Sequence, residues 1–248
     1  MLPKEGTFVD IHTHILPGVD DGAPDLAQAV ALLKKAWEKG TGGVVLTPHF
    51  RGRYRDNVAQ KLQPVFEQLK QEAALQCPDM KLYLGSEVGY ELDVSEKIAD
   101  GTVLPLNGTR YVLLEFRDKA FRSRILEGTL EVLNYGYIPI LAHVERYEAI
   151  RNKPDLAAEL IHLGALIQIN ADSVMGRLGL RVKRCCRHLL RNHCVHFVAT
   201  DAHDDRHRTP NLKACYGRIL RKYGEDRAKA LFYQNARVML TGGEEFEC

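Results

Sequence analysis

The chain has 248 residues, of which 45% are hydrophobic and 27% charged, values typical of a globular protein with one large domain or two small ones. The formal net charge of +2 disfavours a nucleic-acid-binding protein that relies on bulk positive charge. No stretch reaches the roughly 18 consecutive apolar residues that a membrane-spanning helix needs, and residues 1–6 lack the apolar core of a signal peptide.

Seven apolar segments predict β-strands, in chain order 7–11, 43–47, 81–86, 111–114, 137–142, 166–170 and 196–200. Helical spacing of apolar residues predicts helices at 24–39, 58–76, 125–135, 154–163, 180–191, 212–223 and 225–234. Continuous apolar strands that alternate with helices indicate a parallel sheet covered on both faces. We therefore favour an α/β fold in which residues 1–248 form one closed or nearly closed β/α barrel, with an open doubly wound sheet as the alternative.

The first predicted strand runs into His12-Thr13-His14. In an extended chain, residues two apart lean to the same side, so these two imidazoles form a pair suited to a metal ion. A His-x-His pair alone is a weak signal. Thr200-Asp201-Ala202-His203 repeats the spacing near the end of the chain, with a carboxylate in place of one imidazole.

Metal-competent side chains follow six of the seven predicted strands, whereas the sixth strand ends only in Asn170. Loops after the strands of a parallel β/α fold share one face, where active sites lie. Core packing does not explain so regular a placement. The candidate ligands are five imidazoles and four carboxylates: His12, His14, Asp21, His49, Glu87, Glu115, His143, Asp201 and His203.

This mixture of nitrogen and oxygen ligands suits zinc, manganese or iron rather than calcium or an iron–sulfur cluster. Nine ligands exceed the needs of one ion, so two or three ions are expected. Such a site acidifies a shared water and binds phosphoryl oxygens without a protein nucleophile.

The order of these residues resembles the polymerase-and-histidinol-phosphatase (PHP) superfamily. The longer strings resemble its bacterial manganese-dependent protein-tyrosine phosphatases of capsule and exopolysaccharide loci. The strings that carry the resemblance are Asp20-Asp21-Gly22, Gly85-Ser86-Glu87, Leu114-Glu115-Phe116, Ala142-His143-Val144-Glu145-Arg146-Tyr147 and Asp201-Ala202-His203. The resemblance extends from the first strand to about Asn235.

The resemblance implies a distorted (β/α)7 barrel of the PHP type with three divalent ions, manganese first and iron or zinc as alternatives. It implies that His12, His14, Glu87 and Asp201 hold the first ion. Glu87 would then share the second ion with Glu115 and His143, and Asp21, His49 and His203 would hold the third. Asp20 is an alternative to Asp21.

The resemblance also implies that Arg146 and Arg208 bind phosphate and, with Asp201, serve catalysis, although Arg206 is an alternative to Arg208. Arg51 and Arg53 lie in a basic loop directly after His49, which is either a solvated surface or a rim that attracts an acidic phosphopeptide. The expected reaction is one-step hydrolysis of phosphotyrosine by a metal-bridging hydroxide, with the arginines on the phosphoryl oxygens.

The expected partner is a phosphotyrosine protein, in particular a bacterial tyrosine kinase, with no nucleic acid and no membrane span. The alternatives are a phosphatase of histidinol phosphate or another small phosphomonoester, a non-catalytic kinase-docking module, and a nuclease, which the near-neutral charge disfavours.

The six cysteines include no Cys-x-x-Cys pair, which is typical of reduced thiols in a cytoplasmic protein. Residues 185–191 match the Cys-x5-Arg spacing of cysteine-dependent tyrosine phosphatases. That chemistry needs a thiolate in a loop of converging backbone N–H groups. The intervening residues contain no glycine and predict a helix, so we do not expect a cysteine nucleophile.

Overall fold

The computed structural model describes residues 2–91 and 93–247 and is built around a curled parallel sheet. Its strands follow seven paths across the sheet, and two of these paths are broken into two strands each. The strands are β1 (Phe8–Thr13), β2 (Thr41–Leu46), β3 (His49–Phe50), β4 (Lys81–Leu84), β5 (Glu87–Gly89), β6 (Tyr111–Glu115), β7 (Ile138–Leu141), β8 (Leu166–Asn170) and β9 (Phe197–Ala199).

The breaks divide the sheet into a three-stranded part, β1-β2-β4, and a six-stranded part, β3-β5-β6-β7-β8-β9, in which all neighbours are parallel. Pro48 lies in the first break, and proline has no N–H to donate to a neighbouring strand. Gly85 lies in the second break. A Cβ at this position would be only 2.7 Å from a side-chain atom of Leu106, so the glycine allows Leu106 to pack closely against the chain.

Backbone hydrogen bonds join the end of β1 to the segment after β9. His14 N donates to Ala202 O at 2.8 Å, and Asp201 N donates to His12 O at 2.9 Å. Because these bonds lie at the carboxyl ends of the strands, the first and last strand paths meet at that rim. The sheet is therefore a distorted half-barrel of seven strand paths, and the predicted fold class is confirmed.

Helices cover the outside of the sheet and connect its strands. They are α1 (Leu26–Glu38), α2 (Ala59–Gln76), α3 (Val94–Ala99), α4 (Arg122–Asn134), α5 (Glu148–Asn152), α6 (Leu156–His162), α7 (Ala171–Met175), α8 (Leu180–Arg191), α9 (Leu212–Tyr223), α10 (Glu225–Lys229) and α11 (Asn235–Thr241). A π-helical turn at Ala230–Gln234 joins the last two, and short 3-10 helices lie at Gly52–Tyr54, Leu106–Gly108 and Val144–Arg146.

Alternation along the strands separates two cores. In β6, Tyr111 and Leu113 pack inside the curl of the sheet, whereas Val112 and Leu114 pack against the outer helices. Met239 of α11 joins the inner core, so the last helix covers one end of the half-barrel. These cores leave the opposite, carboxyl rim of the sheet open for polar side chains.

Candidate metal centre and adjoining groove

All nine candidate ligands meet at the carboxyl rim of the sheet, and all but Asp21 are buried. Their donor atoms form four overlapping groups with the spacing that a metal ion requires. The groups are His14-Asp21-His49-His203, His12-His14-Glu87, His12-His143-Asp201 and His49-Glu87-Glu115. The convergence expected from the strand-end pattern is thus present in the folded chain.

Two of the nine residues have strained backbones. His143, two residues past β7, has φ +34°, and Asp201, two residues past β9, has φ +55°. The left-handed region is costly for residues other than glycine, and such residues concentrate at functional sites. Here the left-handed residue turns the chain at the strand end and directs a buried side chain into the cluster.

Gly22 allows the loop after β1 to fold over the cluster. A Cβ at this position would be 1.7 Å from the carbonyl oxygen of His14. The glycine therefore lets the backbone of residues 20–22 approach His14 closely. This contact brings Asp20 and Asp21 to the imidazoles.

At the centre of the cluster, lone pairs and negative charges face one another. Nε2 of His12 lies 3.2 Å from Nε2 of His14 and 3.2 Å from Oε1 of Glu87, and Nε2 of His14 lies 3.3 Å from Oε2 of Glu87. Asp201 Oδ1 is buried and has no hydrogen-bond partner within the described residues. Converging lone pairs and an orphaned carboxylate oxygen fit a site for divalent cations.

Asp20 and Asp21 differ sharply in their contacts. Asp20 Oδ2 accepts hydrogen bonds from His14 Nδ1 at 2.7 Å and from His49 N at 3.1 Å. Oδ1 of Asp21 lies 3.2 Å from His49 Nε2 and 3.5 Å from His203 Nε2. The geometry supports Asp21 as the ligand and Asp20 as the residue that orients His14.

The grouping of ligands differs from the distribution that the resemblance implied. His14 is within reach of the group formed by Asp21, His49 and His203 as well as of Glu87. His143 Nε2 lies 2.8 Å from Oε1 of Glu87 and 3.6 Å from Oε1 of Glu115. Glu87 therefore contacts ligands of several groups, as a bridging residue must.

The surroundings hold the central carboxylates in their ionised form. Burial alone raises the pKa of Glu87, but the charges of His12 and His49 outweigh it and hold the pKa well below its ordinary value. The pKa of Asp201 is likewise held well below its ordinary value, since His12 and His14 overcome the effect of burial. Glu115 differs, because burial and the charge of Glu87 raise its pKa to about 7.

The predicted arginines lie at different distances from the cluster. A guanidinium nitrogen of Arg208 forms an ion pair with Oδ2 of Asp201, and another lies 2.8 Å from Nε2 of His203. Arg146 Nη1 lies 3.8 Å from the same oxygen of Asp201. Arg206 points away, with 84% of its side chain exposed. The structure thus brings Arg146 and Arg208, but not Arg206, to the metal-competent residues.

Arg51 and Arg53 lie on the side of the cluster near Glu115. Arg51 Nη1 is 2.8 Å from Oε2 of Glu115, and the guanidinium of Arg53 lies over the ring of Tyr54, 4.7 Å from its centroid. The Tyr54 ring in turn stacks on His49, with centroids 5.7 Å apart and 19° between the planes. The loop after β3 therefore brings an aromatic ring and two cations to the edge of the cluster.

A groove of about 1300 Å³ opens from the cluster between this loop and the loops after β5 and β6. Its aromatic lining residues are Tyr54, Tyr90, Phe116 and Phe121, and Phe121 is 81% exposed. Arg53, Arg117 and Lys119 add positive charge to the lining. Aromatic surface beside positive charge suits an aromatic phosphoester with polar groups around it.

Three contributors to the site were not predicted from the sequence. They are Asp20 as a partner of His14, Tyr54 in the groove, and Gln168, whose Oε1 lies 3.1 Å from His12 Nδ1. Gln168 had a usable signal, because it lies two residues before Asn170 and so shares its side of β8. Tyr54 had none, because its place depends on how the loop folds back over His49.

The Cys185 motif lies elsewhere. Cys185 is buried in the middle of α8, and burial raises the pKa of its thiol to about 12. A neutral thiol in a helix lacks both the thiolate and the loop that cysteine-dependent phosphatases need.

Among the described residues, no helix combines the length and the apolar character needed to cross a bilayer.

Comparisons with known proteins agree with the geometry. Residues 8–241 match the family described as capsular polysaccharide synthesis, CpsB/CapC. The tyrosine-protein phosphatase CpsB of Streptococcus pneumoniae is 33% identical over 238 residues, covering 94% of this chain and 98% of that protein. The tyrosine-protein phosphatase YwqE of Bacillus subtilis is 29% identical over 233 residues, covering 94% and 91%.

A solved structure described as YwqE from Bacillus subtilis and CpsB from Streptococcus pneumoniae, unique metal-dependent tyrosine phosphatases, superimposes with a TM-score of 0.90. It is 29% identical, and the match covers 97% of both chains. A phosphotriesterase homology protein from Escherichia coli shares the fold, with a TM-score of 0.63 at 10% identity. The resemblance inferred from the sequence strings is confirmed, and the chain belongs to the CpsB/CapC family of capsular polysaccharide synthesis proteins.

Proposed function

We propose that this chain is a metal-dependent protein-tyrosine phosphatase that hydrolyses phosphotyrosine in proteins. The observation that carries the proposal is that Arg208 and Arg146 both direct guanidinium nitrogens to Asp201 Oδ2 within the metal-competent cluster. A phosphate bound beside Asp201 would therefore meet metal ligands and two arginines together. The relatives named as tyrosine-protein phosphatases support the same reading.

We propose that the nine candidate ligands hold three divalent ions, with manganese as the native metal. Five imidazoles and four carboxylates fit manganese, iron or zinc, and four overlapping groups of donors support more than one ion. Divalent ions bound there would acidify a water molecule and neutralise charge on the phosphoryl oxygens. Glu87, which contacts His12, His14, His49 and His143, is the residue best placed to bridge.

The arginines would bind the phosphoryl oxygens. Arg208 and Arg146 both direct guanidinium nitrogens toward Oδ2 of Asp201, so they converge on one small volume. Planar guanidinium groups match phosphate oxygens in pairs and stabilise the charge that grows on them during transfer. Asp201 would hold both arginines in place and is a candidate ligand at the same time.

The groove would hold the tyrosine and the residues beside it. The rings of Tyr54 and Phe121 offer apolar surface to a phenyl group, and Arg51 and Arg53, from the same loop as Tyr54, also line the groove. A groove of about 1300 Å³ is larger than a single amino acid requires, which favours a peptide over histidinol phosphate or another small phosphomonoester.

We propose a tyrosine-phosphorylated kinase of the capsule pathway as the protein substrate, since the family model is that of capsular polysaccharide synthesis. We also propose that residues 1–248 act as one domain, because the matched region spans 8–241. Within the described residues, the cysteines are buried free thiols, which supports a cytoplasmic location: Cys77, Cys185, Cys186, Cys194 and Cys215.

Turnover of a phosphotyrosine peptide and of histidinol phosphate by the purified protein tests the proposal. Activity on the peptide should disappear in strong chelator and return with Mn²⁺, and it should exceed activity on histidinol phosphate. Full activity in metal-free protein would contradict the metal-dependent mechanism. Preference for histidinol phosphate would assign the protein to the small-molecule alternative.

A further inference from the structure

We infer that β8, whose residues include none of the candidate ligands, positions the ligands of other strands through Gln168 and Asn170. This inference rests on the proposed metal site. Gln168 is fully buried and Asn170 nearly so, and both side chains face the cluster. Together they contact His12, the backbone of His143, and Asp201.

The orientation of Gln168 follows from one backbone group. The N–H of His143 can only donate, and it donates to Oε1 of Gln168 at 2.9 Å. Since Oε1 is an acceptor, His12 Nδ1, which lies 3.1 Å from it, must carry a proton. Neutral His12 then has its lone pair on Nε2, the atom that faces His14 and Glu87. Gln168 therefore selects the tautomer of His12 that can bind a metal.

Asn170 extends this chain of hydrogen bonds to the opposite side of the cluster. Its Oδ1 accepts from Gln168 Nε2 at 2.8 Å, and its Nδ2 donates to Oδ2 of Asp201 at 2.9 Å. The backbone N–H of Asn170 donates to Oε1 of buried Glu145 at 3.0 Å. Because Oδ2 of Asp201 is held by Asn170 and Arg208, Oδ1 remains directed at His12 and His14.

Two variants of one residue separate positioning from packing. Gln168→Leu removes the acceptor, so His12 is free to take the other tautomer, and metal affinity should fall about 10- to 100-fold. Gln168→Glu keeps an acceptor for both N–H groups but loses the donor to Asn170 Oδ1, so its metal affinity should fall less than that of Gln168→Leu. Metal affinity is measured by titrating metal-free protein with Mn²⁺ in competition with a chelating dye. Thermal unfolding of the metal-free variants reports their folding separately.

Wild-type affinity in Gln168→Leu overturns the inference, and so does an equal loss in both variants. A greater loss of metal affinity in Gln168→Leu than in Gln168→Glu supports it. The readout is metal binding, so this result is independent of the substrate. If Gln168→Leu loses metal affinity but wild-type protein does not hydrolyse phosphotyrosine, the positioning role stands and the proposed phosphatase function fails.

A second inference concerns the outer face of α8 and α9. Residues 173–200 contain six cations and no acidic residue, and α9 adds four cations, although the whole chain carries only +2. Nine of these ten cations have no carboxylate within ion-pair distance in the part of the chain that the structure describes: Arg181, Lys183, Arg184, Arg187, Arg191, Lys213, Arg218, Arg221 and Lys222. Lys183 and Arg187 face Arg218 and Lys222 across a narrow cleft.

We propose that this face docks on an anionic bilayer surface. Gathered cations repel one another, and an anionic surface relieves that repulsion. A bilayer is favoured over a soluble polyanion because Leu180 is 69% exposed and starts the helical stripe that continues with Arg184, Arg187 and Arg191. Leu178 beside it is 45% exposed. An apolar anchor next to a row of cations is typical of proteins that lie on membranes.

Sedimentation with vesicles tests this proposal. The protein should bind vesicles of phosphatidylglycerol and phosphatidylcholine at least tenfold more strongly than vesicles of phosphatidylcholine alone. Arg187→Glu with Lys222→Glu should remove that difference, whereas Lys70→Glu on α2 should not. Leu180→Ser should weaken binding more than Leu75→Ser, a matched control because Leu75 is 79% exposed on another helix.

Turnover of a soluble phosphotyrosine peptide should be unchanged in all of these variants. Absence of binding to anionic vesicles overturns the proposal. Equal behaviour of Leu180→Ser and Leu75→Ser, together with binding to heparin, overturns it in favour of a soluble polyanion.

Discussion

Asp20 accepts a hydrogen bond from Nδ1 of His14 at 2.7 Å, whereas Oδ1 of the next residue, Asp21, lies against the imidazoles of His49 and His203. The bond leaves Nε2 of His14 directed at Glu87. Two adjacent aspartates therefore have separate tasks: Asp20 orients a ligand, and Asp21 is itself placed as a ligand.

Substitution of the two aspartates should give different metal-binding defects. Asp21→Ala removes a donor and should reduce the number of ions bound per chain. Asp20→Asn keeps an oxygen for His14 but loses the charge, so the number should persist while affinity falls about 10- to 100-fold. Elemental analysis and Mn²⁺ titration measure the two quantities. The reverse pattern would identify Asp20 as the ligand.

The arginines of the loop after His203 offer a matched pair. Arg208 contacts Asp201 and His203, whereas Arg206 is exposed to solvent. Lysine keeps the charge but not the planar fork. Arg208→Lys should lower kcat/KM at least about tenfold, roughly 1.4 kcal/mol of transition-state stabilisation. Arg206→Lys should stay within about twofold. Equal effects in steady-state assays on a phosphotyrosine peptide would contradict this assignment.

The strand-end pattern was sufficient to predict the fold class and the convergence of the nine candidate ligands. Parallel strands bring their carboxyl ends to one rim, so the position of His49 or Glu115 after a strand already determines its side of the molecule. The prediction needed no loop geometry, because the sheet sets these positions.

Features that depend on how loops fold were not predictable. The break at Gly85 falls inside the predicted strand 81–86, the short strand β3 after Pro48 was not predicted, and the short helices α3, α5, α7 and α11 were missed. The choice between Arg206 and Arg208 also depends on a loop, because both residues follow His203 closely. Their different exposure arises from the turn in which Asp204 accepts from the backbone N–H of Arg206 and His207.

Replacement of Cys185 should leave catalysis unchanged. The thiol is buried in α8, and its pKa is raised to about 12 by burial, so it is protonated at neutral pH. Cys185→Ser, and Cys185→Ala as a check on the buried hydroxyl, should retain activity within about twofold. Mass spectrometry of the quenched reaction should reveal no phosphocysteine, and detection of one would reverse the proposed chemistry.

His196 should make the stability of the metal-free protein sensitive to acid. Its Nδ1 accepts from Ile167 N at 3.0 Å, and burial, followed by the charge of Arg227, lowers its pKa from 6.5 to about 4. The unfolded chain therefore binds a proton between pH 6.5 and 4 that the folded chain does not, and stability falls as pH falls through that range.

The comparison with His196→Gln isolates this effect, because glutamine can accept the same hydrogen bond without titrating. Between pH 7 and 5, wild type should lose about 2 kcal/mol more unfolding free energy than His196→Gln. Urea unfolding in chelator at both pH values measures the difference. Parallel losses in the two proteins would exclude His196 as the source.

Arg146 is the residue whose geometry should matter independently of its charge. Its side chain is 30% exposed, with Nε 3.5 Å from Asp118 Oδ1 and Nη1 3.8 Å from Asp201 Oδ2, so it spans from the loop after β6 to the metal-competent cluster. Arg146→Lys should lower kcat/KM at least about tenfold and leave metal content unchanged. Arg122→Lys, at a surface ion pair with Glu159, serves as the control. Wild-type kinetics in Arg146→Lys would reduce Arg146 to a structural partner of Asp118 and leave Arg208 as the phosphate-binding arginine.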